Sequence, residues 1–186
     1  MNRQEIISLM RSIHPNFFES ENLGKMPDGA VFEEMLLPLD EFDCDRYQRE
    51  FDGSVSFGFY DGDIDSFKKE VEKVDEGWRD FFGENDRILC GFVEGKVACF
   101  CLVEDNGTHV INGRKLRIGG PGCVGTLPEY RNKGLGLTMV KLATQLLKDE
   151  GYDYSQIHYT GVAAWYAKLG YKTVLRWNKN GILPQE

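Results

Sequence analysis

The chain has 186 residues, with 22 Lys and Arg against 30 Asp and Glu, giving a formal net charge of −8. That length suggests one domain, large enough to bury a core, and the acidic balance argues against general nucleic-acid binding, which needs a basic face. No apolar run approaches the ~18 residues of a membrane span.

The N-terminal stretch "MNRQEIISLMRSIHPNF" lacks the apolar core of a signal peptide. With Ile6, Leu9, Met10 and Ile13 at helical spacing it predicts a short amphipathic helix. Residues 20–29 predict a loop broken by Gly24, Pro27, Asp28 and Gly29. Residues 30–39 predict a first strand, and 40–51 a short helix capped by Asp40. The acidic set Asp40, Glu41, Asp43 and Asp45 there reads as a solvated face that could also help line an amine site. A longer helix is predicted over 64–82, where Phe67, Val71, Val74, Trp78 and Phe81 recur every three or four residues. At its start, Asp61, Asp63, Asp65 and Glu72 occupy positions 1, 3, 5 and 12 of a calcium loop. Ser66 stands where that loop needs glycine, and Lys68 and Lys69 would repel a cation, so helix capping by Asp63 or Asp65 explains the carboxylates and no metal is expected.

The middle predicts antiparallel strands joined at Glu94-Gly95, Asn106-Gly107 and Asn112-Gly113, since Asn-Gly accepts the positive φ that tight hairpins demand. The aromatics Phe57, Phe59, Tyr60 and Trp78, ahead of it, are assigned to the core. The five cysteines, Cys44, Cys90, Cys99, Cys101 and Cys123, are odd in number and form no CxxC pair. That spacing argues against a disulfide framework or a zinc site and favours a reducing, cytoplasmic setting. Cys99 and Cys101 alternate and should pack on one face of a strand. A helix follows over 134–149, ended by Gly151, then a strand over 154–160, a short helix over 162–170 closed by Gly170, and a last strand over 171–177. Antiparallel strands followed by alternating helices and strands predict a mixed sheet with helices packed on it.

One stretch concentrates chemistry. "PEYRNKGLGLT" (128–138) sets Arg131 and Lys133 beside Gly134 and Gly136 at the mouth of the predicted helix. First-turn amides have no partner inside a helix and carry partial positive charge, so they suit a phosphate. Glycine lets the backbone curl and a ligand approach closely, and the cations add full charge. The stretch therefore reads as a pyrophosphate cradle. It matches neither GxxxxGK[ST] nor GxGxxG, because Leu137, Thr138 and Met139 follow Gly136.

"VGTLPEYRNKGLG" resembles the acetyl-CoA signature R/Q-x-x-G-x-G/A of the GNAT superfamily of N-acetyltransferases, with Arg131, Gly134 and Gly136 in its fixed positions. "WYAKLGY" (165–171) resembles that family's second signature, and the spacing of the two also fits. The resemblance covers residues 87–177, and residues 30–86 by order of elements. It implies an α/β GNAT fold: a central mixed, mostly antiparallel sheet flanked by helices, splayed between the strands at 115–126 and 154–160. The glycines and Pro121 of "GGPGC" suit such a splay, and a bulge is expected near Gly120 to Gly122.

The resemblance implies acetyl transfer from acetyl-CoA to a primary amine. Val124, Gly125 and Thr126 would hold the pantetheine arm. The backbone of Arg131, Asn132, Lys133, Gly134, Leu135, Gly136, Leu137 and Thr138 would hold the pyrophosphate. The Val124 amide would face the developing oxyanion, and Tyr166 would give a proton to the leaving thiolate, unless it only packs beside Val162, Trp165 and Leu169. The base stays open: the strand over 115–126 has no carboxylate, Glu129 is expected to face solvent, and His158, a water chain or an already neutral amine are the alternatives. Tyr159 stands where the family commonly has Asn. The expected organisation is a single domain, with residues 1–29 as an extension, 30–177 as core and 178–186 as tail. The expected partners are acetyl-CoA and an amine acceptor, without nucleic acid or membrane, in a monomer or homodimer. A rival reading is a module that senses acyl-CoA without turnover.

Overall fold

The computed structural model describes residues 1–184. One sheet of eight strands forms the centre: β1 (Phe32–Pro38), β2 (Val55–Phe59), β3 (Ile88–Val93), β4 (Lys96–Ile111), β5 (Arg114–Thr126), β6 (Tyr154–Thr160), β7 (Lys172–Asn178) and β8 (Gly181–Ile182). Their spatial order is β2-β3-β4-β5-β6-β1-β7-β8. The four helices are α1 (Arg3–Ile13), α2 (Ile64–Glu72), α3 (Leu135–Asp149) and α4 (Ala163–Tyr166).

Alternation along the strands sorts the core into layers. Cys99, Cys101 and Val103 of β4 and Met35 of β1 meet α3 and α4 through Met139, Ala143 and Tyr166. On the opposite face Leu9 and Met10 of α1 pack with Leu36, Ile118 and Trp177, and Phe67 and Val71 of α2 pack with Phe100 and Leu102. The two predicted strand cysteines do share one face, and all five cysteines are free.

β5 and β6 run parallel and pair only at Ile118–Tyr154 and Gly119–Ser155, then separate. At Gly120 a side chain would collide with the Gln156 carbonyl, which explains a glycine at the last close approach. The β5 bulge falls later than the sequence predicts. Leu102 pairs with Gly122 and Phe100 with Gly125, so Cys123 and Val124 together oppose Cys101, with Cys123 at φ +46°.

Several elements differ from expectation. Residues 40–51 form no helix beyond a 3₁₀ turn at Cys44–Arg46, capped by Asp43. The segment is instead strapped to α3, where Lys141 Nζ and Lys148 Nζ donate to the Tyr47 and Phe42 carbonyls. The predicted 64–82 helix breaks after Glu72, because Asp75 caps a new 3₁₀ turn over Glu76–Phe81. Asp63 caps α2 by accepting from the Ser66 amide at 2.7 Å. β2 was not anticipated; it is an edge strand that leaves Phe59 exposed rather than in the core. Asn106-Gly107 makes an irregularity within β4, not a hairpin turn, because β5 is long enough to pair on both sides of it. Within the tail, Gly181–Ile182 adds β8 to β7.

Candidate active site

β5 ends at Thr126, a 3₁₀ turn spans Pro128–Tyr130, and α3 begins at Leu135. The connecting loop is tied back to the strand. Arg131 Nε donates to the Thr126 carbonyl at 3.1 Å, and the Arg131 amide donates to the Pro128 carbonyl at 3.3 Å. Positive φ at Asn132 (+62°) and Gly134 (+85°) then curls the chain into α3. The Thr138 amide closes the first helical turn onto the Gly134 carbonyl at 3.1 Å. The expected run of open amides is therefore shorter at both ends, because Arg131 and Thr138 use theirs internally. The amides from Asn132 to Leu137 have no protein acceptor among the described residues.

A cleft of about 390 Å³ opens here, between the end of β5, the N-terminus of α3 and α4. Of the sequence-predicted residues, Val124, Thr126, Arg131, Asn132, Gly134, Leu135, Gly136, Leu137 and Tyr166 line it together. Gly125, Lys133 and Thr138 do not. Gly125 lies against the Phe100 ring, which a side chain there would strike. Lys133 Nζ sits 5.3 Å from the centre of the Tyr130 ring, and Thr138 is buried with no hydrogen-bond partner for its hydroxyl among the described residues. A methyl on Gly136 would stand 2.6 Å from Thr126 Oγ1, so this glycine serves close helix–strand packing. A methyl on Gly134 would meet the Tyr47 hydroxyl at 2.9 Å and Arg49 Cγ at 3.2 Å.

Tyr166 is buried, with its ring edge-on to Trp165 at 4.8 Å. Its hydroxyl has no hydrogen-bond partner among the described residues. Burial first, then Tyr171 and Cys101, pushes its phenol above the ordinary tyrosine value, so it holds its proton at neutral pH. Glu129 is exposed, as expected. Tyr159 turns its hydroxyl to Met26 Sδ at 2.8 Å and its ring onto Phe32 and Trp177.

Sequence reasoning missed Arg49 and Tyr47, which the strapped loop brings beside Gly134 and, for Arg49, into one groove with Lys133. It also missed Glu34, which is fully buried and faces His158 Nδ1 at 3.0 Å. The Glu33-Glu34 pair in a hydrophobic strand was the available signal, because alternation turns one of two neighbours to a buried face and a buried carboxylate needs partners.

The model of the acetyltransferase (GNAT) domain matches residues 56–174, more than half of the chain. The chain belongs to the GNAT acetyltransferase family. No curated protein matches it. Among solved structures, a GCN5-related glucosamine N-acetyltransferase region of a fungal multi-domain GH3 β-N-acetylglucosaminidase is similar. It shows 21% identity and a TM-score of 0.66, over 80% of this chain and 20% of that one. GCN5-related N-acetyltransferases from Kribbella flavida and Sphaerobacter thermophilus are each 17% identical, with TM-scores of 0.53 and 0.55. They are matched over 80% and 78% of this chain, and 56% and 49% of theirs. The chain thus spans a fifth to just over half of these structures, and the likeness establishes the fold. Among the described residues, no helix is long and apolar enough to cross a membrane.

Proposed function

We propose that the protein is an acetyl-CoA-dependent N-acetyltransferase acting on a primary amine. The run of amides from Asn132 to Leu137, without internal acceptors at the N-terminus of α3, carries this reading. These amides would hold the pyrophosphate, with Arg131 and Lys133 adding charge and Arg49 a third cation beside Gly134. The end of β5 at Val124, Gly125 and Thr126 would take the pantetheine arm. Acetyl-CoA, when bound, supplies the acetyl group as a thioester.

The chain's own residues do the rest. The bulge at Cys123 and Val124 interrupts the ladder to β4, which suits the Val124 amide to a developing oxyanion. Tyr166, protonated and unpartnered in the cleft, suits a proton donor to a thiolate. That free hydroxyl favours an enzyme over a non-catalytic sensor. The test is release of free thiol when the protein meets acetyl-CoA with polyamines, aminoglycosides, amino acids, glucosamine or peptides. Release with one acceptor class is expected. Tight acetyl-CoA binding without release across the whole panel would favour the sensor.

A further inference from the structure

β5 offers no carboxylate to take the acceptor's proton, but its neighbours do. The strands run β1-β6-β5-β4 in space. On the face that carries α1, β1 contributes Glu34, β6 contributes Gln156 and His158, and β4 contributes Glu104. β5 adds only Gly120 and Gly122 to this row, and a side chain on Gly122 would collide with the Glu104 carboxylate. Two strand spacings, about 10 Å, separate β4 from β6, and the splay widens the gap beyond Gly119.

Glu34 is fully buried and surrounded by donors: Trp177 Nε1 at 2.9 Å, Gln156 Nε2 at 3.2 Å and the Tyr159 amide at 3.3 Å. Tyr159 has φ +55°, a turn of the backbone that accompanies its amide's bond to the carboxylate. His158 Nδ1 lies 3.0 Å from both Glu34 oxygens. A carboxylate ringed by donors only accepts, so the imidazole proton belongs on Nδ1 and Nε2 carries the lone pair. Nε2 points away from Glu34 and has no partner among the described residues, and the His158 side chain keeps 28% of its exposure. His14 stacks on it at 3.8 Å, held neutral because burial, and then His158, lower its pKa to about 4. His14, Glu34 and His158 also lie within metal-ligand reach of one another. Stacked rings, however, do not converge their in-plane lone pairs on one point, and the Glu34 oxygens are already taken.

We propose that His158 is the base that removes the acceptor amine's proton, that Glu34 positions its ring, and that Glu104, lying over Gly122, receives the ammonium group across the opening between β5 and β6 beyond Gly120. This rests on the acetyltransferase reading and assigns its acceptor side to cationic primary amines. Glu104 is open to water yet partly desolvated by surrounding protein, which raises its carboxyl; Asp86 adds to the rise and His158 opposes it. The groups facing His158 are Glu34 from β1, His14 from the end of α1 and Glu104 from β4; those near Glu104 are Asp86, Cys123 and His158.

The ammonium gives one proton to Nε2. The freed nitrogen pair forms the C–N bond to the thioester carbonyl carbon, and the C–S bond breaks with its pair going to sulfur. Sulfur takes the Tyr166 proton, the amide nitrogen returns its surplus proton to the phenolate, and His158 releases its proton to water.

The test uses the full chain with acetyl-CoA and spermidine, glucosamine or lysine methyl ester across pH, together with nitrogen-resolved NMR of the imidazoles without acetyl-CoA. His158→Gln should lower kcat/KM about 10²–10⁴-fold with unchanged acetyl-CoA affinity. Glu104→Gln should raise KM for the amine more than it lowers kcat. Glu34→Gln leaves an amide that can donate as well as accept at His158 Nδ1, so the Nδ1-protonated tautomer should lose its preference in the NMR spectrum while acetyl-CoA affinity stays unchanged. NMR should place the His158 proton on Nδ1. A His158→Gln protein as fast as wild type, or a proton on Nε2, overturns the assignment even if Glu34→Gln fails to fold. Absence of wild-type thiol release with all three amines would instead overturn the enzymatic reading beneath it.

Discussion

Gly134 shows how backbone conformation and close packing meet at one position. Its φ of +85° disfavours any side chain, and Tyr47 and Arg49 crowd the space a Cβ would take. Gly134→Glu is expected to abolish acetyl-CoA binding by calorimetry, because it adds bulk and negative charge beside the open amides. The fold should survive, since the atoms it meets belong to the side chains of Tyr47 and Arg49 and not to the backbone. Tyr166→Phe tests a different quantity. The hydroxyl bonds to no described residue, so its loss should leave stability and acetyl-CoA affinity nearly unchanged while kcat falls about 10²-fold or more. Equal kcat for the two proteins would assign Tyr166 to packing alone. Arg131, Gly134, Gly136 and Tyr166 were legible in the sequence because their neighbours in the chain define the local geometry. Arg49, Glu34 and Glu104 were not, since each acquires its meaning from a residue on another element.

At the scale of elements, β6 departs from β5 once their pairing ends at Gly119 and Ser155, and Gly120 marks the last close approach. A methyl there would strike the Gln156 carbonyl, a backbone atom that cannot swing aside. Gly120→Ala is expected to cost about 1–3 kcal/mol, read as a lower urea midpoint at unchanged slope, and to weaken acetyl-CoA binding by shifting β6. The two strands stay anchored below that point. Tyr171 joins Ser155 of β6 and Thr144 of α3 through hydroxyl contacts of 2.7 and 2.8 Å in a fully buried site. β3, β5 and α3 follow from sequence because hairpin dipeptides and 3.6-residue periodicity are local signals, whereas Asn106-Gly107 signals a turn inside what is one continuous β4. The segment 40–51 does not, since its path is set by Lys141 and Lys148 reaching its carbonyls from α3.

At the scale of the whole molecule, the face that carries α1 is coupled to stability through His14. His14 lies at the end of α1, against β6, and its pKa falls from 6.5 to about 4 in the fold. Between those values the unfolded chain binds the proton and the folded chain does not. Stability from this group is therefore full above pH 6.5 and is lost progressively as pH falls towards 4. Urea midpoints should drop over this range, and His14→Gln should drop less than wild type. Identical slopes for the two proteins would show that His14 does not couple to folding.

The local code determined what depends on neighbours in the chain: the curled loop whose amides from Asn132 to Leu137 stay open among the described residues, the helix behind it, the turn closed by Gly170 and, through them, the family. Turn geometry and helix periodicity are short-range, so such features survive in a single sequence. Tertiary structure alone decided that β1 inserts between β6 and β7, carrying Glu34 to His158, and that β4 brings Glu104 beside Gly122. Strand order joins residues far apart in the chain, and no periodicity records which strand lies next to which.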